Sequence, residues 1–184
     1  MYIVTTPLTK VSPNRVTISG GVLALILMYV ATFPQAYWLV ACGILLLGIL
    51  DGVDGVIAVR TGNITNWGAF LDSLVDRIVD CAIAVMLLAA GASLPVTLVA
   101  LSLTLVHEYM RARAASVGYR LIGIVTVAEK PTRIILGVIP FVACSLFVGH
   151  AVTFMTVTAW VWLALATLAV VQLFSVYRRA LRKM

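Results

Sequence analysis

Six apolar runs, each about as long as a hydrocarbon bilayer is thick, fill most of this 184-residue chain. A helical span needs roughly 20 mostly apolar residues, and such stretches fall at 15–33, 36–58, 68–90, 93–114, 132–149 and 152–177. Hydrophobic residues make up 62% of the chain and charged residues 11%. A soluble domain carries roughly 45–50% and 25%. A water-soluble enzyme, a disordered regulator and a secreted disulfide scaffold are excluded. The expected fold is an all-α polytopic membrane protein with six transmembrane helices, and the length suits one domain over 1–184.

The basic residues set the topology. Lys10 and Arg15 precede the first run, and Arg60 separates the second from the third. Arg111, Arg113, Arg120, Lys130 and Arg133 surround the fourth link, and Arg178, Arg179, Arg182 and Lys183 close the chain. The links near 34, 92 and 150 carry no Lys or Arg. Alternation of this kind places both termini in the cytoplasm. Because the net charge of +6 is accounted for by helix ends, it does not point to nucleic acid. Residues 1–12, with one Lys among a few apolar positions, are expected to form a short interfacial helix. The start of the chain lacks a signal peptide's basic region, so the run from Val16 is expected to stay as a span. Cys42, Cys81 and Cys144 all lie in apolar stretches and read as small hydrophobes rather than a disulfide frame.

Five of the seven acidic residues, Asp51, Asp54, Asp72, Asp76 and Asp80, fall within thirty positions. A carboxylate in a bilayer costs roughly 2.5–3.5 kcal/mol, so four together call for compensation. Asp51 and Asp54 are three apart and Asp72 and Asp76 four apart, so each pair shares a helix face. The short Gly62-Asn63 link would make these two helices antiparallel neighbours, with four carboxylates converging near the cytoplasmic surface. Mutual repulsion then requires a cation. Oxygen ligands without His or Cys suit Mg²⁺ or Mn²⁺, and four carboxylates can hold two ions in the arrangement that clamps a phosphoryl group. Intramembrane acids also mark cation transporters, although those place them near the midplane or on several helices. Asp80 reads equally as a solvated helix-end charge or as a further member of the acidic cluster, and His107-Glu108 as polar residues at a helix end. Trp38, Trp67, Trp160 and Trp162 read as interfacial or packing aromatics.

The stretch Asp51-Gly-Val-Asp54-Gly55-Val-Ile-Ala58, followed by Gly68-Ala-Phe-Leu-Asp72-Ser-Leu-Val-Asp76, resembles the signature of the CDP-alcohol phosphotransferases. All four Asp, both Gly and the Ala stand at the family's spacing. The Arg expected at 59 is Val59, with Arg60 directly after it. Pro13-Asn14-Arg15-Val16-Thr17 is similar to the family's entry motif. Arg111-Ala-Arg113-Ala and Glu129-Lys130-Pro131-Thr132-Arg133 resemble blocks of the phosphatidylinositol-phosphate synthase branch.

The resemblance implies metal ligation by Asp51, Asp54, Asp72 and Asp76, with Asp76 also taking the proton of the acceptor hydroxyl. It implies a CDP-lipid site at Asn14, Arg15, Val16, Thr17, Gly55, Ala58, Arg60, Thr65 and Gly68. It implies acceptor binding by Arg111, Arg113, Lys130 and Arg133. The implied reaction moves the phosphatidyl or archaetidyl group of a CDP-linked lipid to a small alcohol such as inositol phosphate, releasing CMP. Glycerol phosphate and serine stay open as acceptors, because Gln172-Leu173 stand where that branch carries a further Arg. The family further implies a homodimer in the cell membrane, with two Mg²⁺ or Mn²⁺ ions and its active site on the cytoplasmic face.

Overall fold

A computed structural model describes residues 12–62, 64–119 and 125–182. The interfacial helix expected over 1–12, apart from Ser12, lies outside the described residues, as do Lys10, Asn63, Arg120 and Lys183. The described residues form six α-helices: α1 Pro13–Val30, α2 Tyr37–Thr61, α3 Asn66–Ala89, α4 Leu94–Ser116, α5 Lys130–Leu146 and α6 Ala151–Leu181. A 3₁₀ turn over Pro34–Ala36 leads into α2, and no strand occurs among the described residues. Each expected apolar run coincides with one helix. Three segments, Pro13–Val30, Pro34–Thr61 and Ala151–Leu181, are long and apolar enough to cross a membrane by length and composition.

Local chemistry explains where the helices start and stop. Proline stands in the first turn of α1, α4 and α5, where its missing N–H leaves no helical bond unmade. Gly62 ends α2 at φ 67°, in the left-handed region that a residue with a Cβ avoids. Three residues later the Thr65 hydroxyl caps α3 by accepting the Gly68 N–H at 3.0 Å. The reversal that brings two pairs of aspartates toward each other is therefore complete within residues 62–65.

The expected direct pairing of α2 with α3 is not what forms. Instead α1 packs against both, while α2 packs on α5 and α4 on α6. Small residues permit this. Gly20, Gly21 and Ala24 are buried on α1, and a Cβ on Gly21 would already stand 3.5 Å from Val75 of α3. On the α2 side Leu27 fills the space over Gly43. Close approach through small residues is the usual way apolar helices associate without a hydrophobic driving force. The core continues through Tyr37, Ile44, Leu87, Phe141 and Trp162. Tyr37 meets Phe141 edge-on at 5.3 Å, and the buried Trp162 Nε1 donates to Thr104 Oγ1 at 3.0 Å, joining α6 to α4. Trp162 is thus a packing aromatic, whereas Trp38, Trp67 and Trp160 face outward.

A Cβ at position 43 would lie 2.4 Å from the Leu27 side chain. Gly43→Val should therefore destabilise the bundle by about 1–3 kcal/mol, the usual cost of overpacking. This would be read as a lower midpoint in thermal unfolding of the detergent-solubilised protein. Gly52→Ala, with nothing within 4 Å of its new methyl group, should leave the midpoint unchanged or raise it.

Candidate active site

Asp51, Asp72 and Asp76 each offer one carboxylate oxygen to a point where the three lie within 4.8 Å of one another. The first comes from α2 and the other two from the opening turns of α3. Asp54 borders the same cleft but is buried, and it accepts a hydrogen bond of 2.6 Å from Thr17 Oγ1 of α1. Lys130, the first residue of α5, places its ammonium against both Asp51 and Asp76. All acidic donors here are hard oxygens, which fit a divalent ion such as Mg²⁺ or Mn²⁺. The ammonium between two of them shows that the cleft accepts positive charge. The residues fit a metal.

Beside the carboxylates opens a cavity of about 360 Å³. Of the residues implied to hold a CDP-lipid, Asn14, Thr17, Gly55, Ala58, Thr65 and Gly68 border it. A Cβ on Gly68 would stand 3.1 Å from both Asn14 Oδ1 and Thr65 Oγ1, so glycine here keeps two polar atoms accessible. Gly55 has nothing within 4 Å of where a Cβ would project, so no helix contact calls for glycine at that position. Val16 lines the deeper carboxylate cleft, and Arg15 lines a groove on the outside of α1. Val59, not Arg60, forms part of the cavity wall. Arg60 is one residue further along α2, about 100° around the helix.

Next to the aspartates lies an ion network that joins three helices. Arg133 of α5, only 4% exposed, reaches Asp80 at 3.1 Å and Glu108 at 2.9 Å. Arg77 contacts Asp80 at 3.2 Å, Glu108 at 3.4 Å and Asp76 at 3.9 Å. Asp80 is 4% exposed, so it is not a solvated helix-end charge; two guanidiniums hold it inside. His107-Glu108 likewise is not a helix-end pair, because His107 is 1% exposed and bonded to Thr126 at 3.0 Å. Arg77 escapes a reading based on helix ends because it lies within an apolar run. Its signal is its spacing, three residues before Asp80 on the same face.

The segment entering α5 is tied down through Glu129. Its carboxylate accepts the Thr126 N–H at 2.9 Å, the Thr126 hydroxyl at 3.1 Å and Arg111 Nη1 at 3.0 Å. Burial alone would raise the Glu129 carboxyl, but these donors outweigh it and hold the group below its ordinary value of 4.5. The tie is therefore at full strength above that value and fades as pH falls below it. Gln172 supplies a further anchor, accepting the Val127 N–H at 3.4 Å. Among the residues implied to bind acceptor, Arg111 is thus paired with Glu129, Lys130 with Asp51 and Asp76, and Arg133 with Asp80 and Glu108. Arg113 lies in the exposed last turn of α4 and donates to Ser116 at 3.2 Å. Arg111 also borders, with Arg77 and Ser73, a second cavity of about 520 Å³.

A helical bundle apolar outside, with converging carboxylates beside a roomy cavity, has the build of a membrane-embedded phosphotransferase. Residues 10–171 match the family model described as CDP-alcohol phosphatidyltransferase, and the chain belongs to that family. It is 34% identical over 128 residues to archaetidylinositol phosphate synthase of Pyrococcus horikoshii, covering 68% of this chain and 66% of that protein. It is 30% identical over 173 residues to phosphatidylinositol phosphate synthase of Corynebacterium glutamicum, covering 89% and 76%. Matches to the archaeal relatives span 66% or less of their own length. The crystal structure of Mycobacterium tuberculosis phosphatidylinositol phosphate synthase with CDP-DAG bound is similar at 26% identity and a TM-score of 0.75, covering 95% of this chain and 93% of that one. The same enzyme in complex with manganese and citrate matches at 25% identity, with a TM-score of 0.75 and coverage of 95% and 88%.

Removing one partner of a buried ion pair costs about 3–5 kcal/mol. Asp80→Asn should lower stability by that order, measured by thermal or denaturant unfolding in detergent. Adding Arg133→Met to the same chain should restore part of the loss, because the excess buried guanidinium is then gone and Arg77 and Glu108 balance each other.

Proposed function

We propose that this protein transfers the phosphatidyl or archaetidyl group of a CDP-linked lipid to inositol phosphate and releases CMP. The observation that carries the reading is the convergence of Asp51, Asp72 and Asp76 beside a cavity bordered by Asn14, Thr65 and Gly68. The names of the relatives support the acceptor, and the CDP-DAG complex of the mycobacterial enzyme supports the donor. A cation path is disfavoured, since the converging acids sit together on α2 and α3.

In this reading the cytidine and pyrophosphate occupy the 360 Å³ cavity, with the lipid tails continuing along the apolar flank of the bundle. Mg²⁺ or Mn²⁺, as two ions, would be held by Asp51, Asp54, Asp72 and Asp76 and would supply positive charge for the pyrophosphate. Asp76 acts as the base: its carboxylate takes the proton of the acceptor hydroxyl, whose oxygen bonds to the phosphorus bearing the lipid alcohol. The bond from that phosphorus to the bridging pyrophosphate oxygen breaks, and CMP leaves with the oxygen. Thr17 fixes the Asp54 carboxylate. Arg111 and Arg113 form the basic side to which an acceptor phosphate is drawn, while Lys130 and Arg133, implied for the same role by the resemblance, are engaged by carboxylates behind it. The fold is read as one domain of six spans with both termini in the cytoplasm, the site on that face of the cell membrane, and the protein as a homodimer. The manganese complex of the mycobacterial enzyme supports the metal.

Purified protein given CDP-diacylglycerol or its archaeal ether counterpart, inositol phosphate and Mg²⁺ or Mn²⁺ should release CMP. Chelator should abolish the release and added metal restore it. Serine and glycerol phosphate in parallel reactions test the acceptor, and no CMP with any of the three overturns the reading. Asp51→Asn and Asp72→Asn should each remove turnover, and Asp76→Asn should lower kcat by about 10²–10⁴ with both substrates still bound. Arg111→Ala should raise the acceptor KM roughly ten- to hundredfold, the worth of one charge-assisted contact, with donor binding nearly unchanged.

A further inference from the structure

Lys130 places its ammonium in contact with the proposed metal ligands Asp51 and Asp76 together. A permanent salt bridge is an unsuitable partner for two carboxylates that must hold a divalent ion, because each lone pair given to the ammonium is withheld from the metal. Nor does one ammonium neutralise the cleft, where Asp51, Asp54, Asp72 and Asp76 still outnumber it. Lysine suits a temporary role. It is a point charge on a flexible four-carbon stem, and its stem here has somewhere to go. A groove of about 320 Å³ between α2 and α5 begins at Asp51 and Lys130 and runs along Gly48, Pro131 and Ile134. The backbone at its root stays fixed, since the neighbouring Glu129 is held by Thr126 and Arg111.

We infer that Lys130 is a tethered cation that occupies the metal position of the metal-free enzyme and is displaced from Asp51 and Asp76 when a divalent ion binds. The inference rests on the reading that these carboxylates hold metal. Its meaning is twofold. The protein keeps its converging acids together before any metal arrives, and metal entry leaves the Asp76 carboxylate without its ammonium partner. Divalent binding is then a competition, weaker in the intact chain than the bare carboxylates would give.

The test uses the full chain in detergent, without lipid substrate. The sequence holds three lysines, Lys10, Lys130 and Lys183, so a pulse of an amine-acetylating reagent read by peptide mass spectrometry reports each separately. With Mn²⁺ in place of chelator, Lys130 should be acetylated several-fold faster while Lys10 and Lys183 keep their rates. Free Mn²⁺, counted by its electron paramagnetic resonance signal, should show Lys130→Met binding the ion about tenfold more tightly than the unaltered chain, the effect of removing one charge a few ångströms away. Asp51→Asn should weaken binding in both backgrounds. Tighter binding by Lys130→Met with unchanged acetylation of Lys130 would mean that the lysine shares the site, and displacement is overturned. Equal affinity in the two chains overturns the competition. If neither chain binds Mn²⁺, the metal reading itself falls.

Discussion

Three carboxylates within 4.8 Å of one another, at one end of an apolar bundle, repel with about 3 kcal/mol per pair at an effective dielectric of 20. The helices around them are arranged to offset that repulsion. From α5 comes the Lys130 ammonium and from α3 itself the Arg77 guanidinium, which touches Asp76 at 3.9 Å, while the Thr17 hydroxyl of α1 holds the neighbouring Asp54. Arg77 in turn is braced by Asp80 and Glu108, and those by Arg133. The charge of the site therefore extends through four helices, α2 to α5, and α4, which contributes none of the clustered carboxylates, still carries Glu108 as part of the support.

The helices were legible because a run of about 20 apolar residues, met by lipid or by a packed core, must satisfy its backbone internally and has few other options. The aspartates were legible for the complementary reason: charges are too costly in such runs to be there without a purpose. Packing was not. That α1 lies against both α2 and α3 depends on the fit of Leu27 over Gly43 and Val75 beside Gly21, and shape complementarity leaves no periodic trace in one sequence. Asp80 and His107 show a second limit, since a helix-end polar residue and a buried partner in an ion network are the same letters at the same spacing. Lys130 shows a third. A basic residue near a phosphate site suggests an anion contact, and only coordinates reveal that its neighbours are carboxylates. Val59 and Arg60 differ by one position and a third of a turn, which sets the valine on the cavity wall.

The ion network also bears on how the chain is made. Of the six helices, α3 to α5 fall outside the three segments apolar enough to cross a membrane by length and composition, and they hold Asp80, Arg77, Glu108 and Arg133. Leaving any of these charges facing lipid costs several kcal/mol. During synthesis α3 emerges with Asp80 and Arg77 well before Arg133 has been translated, so for some fifty residues of growth the set is incomplete. Completion of the α3 charges thus awaits α5, and the early hold on α3 comes from α1, whose small-residue face it already meets. Assembly of this network is in that sense cooperative: its charges balance only once α3, α4 and α5 are all present.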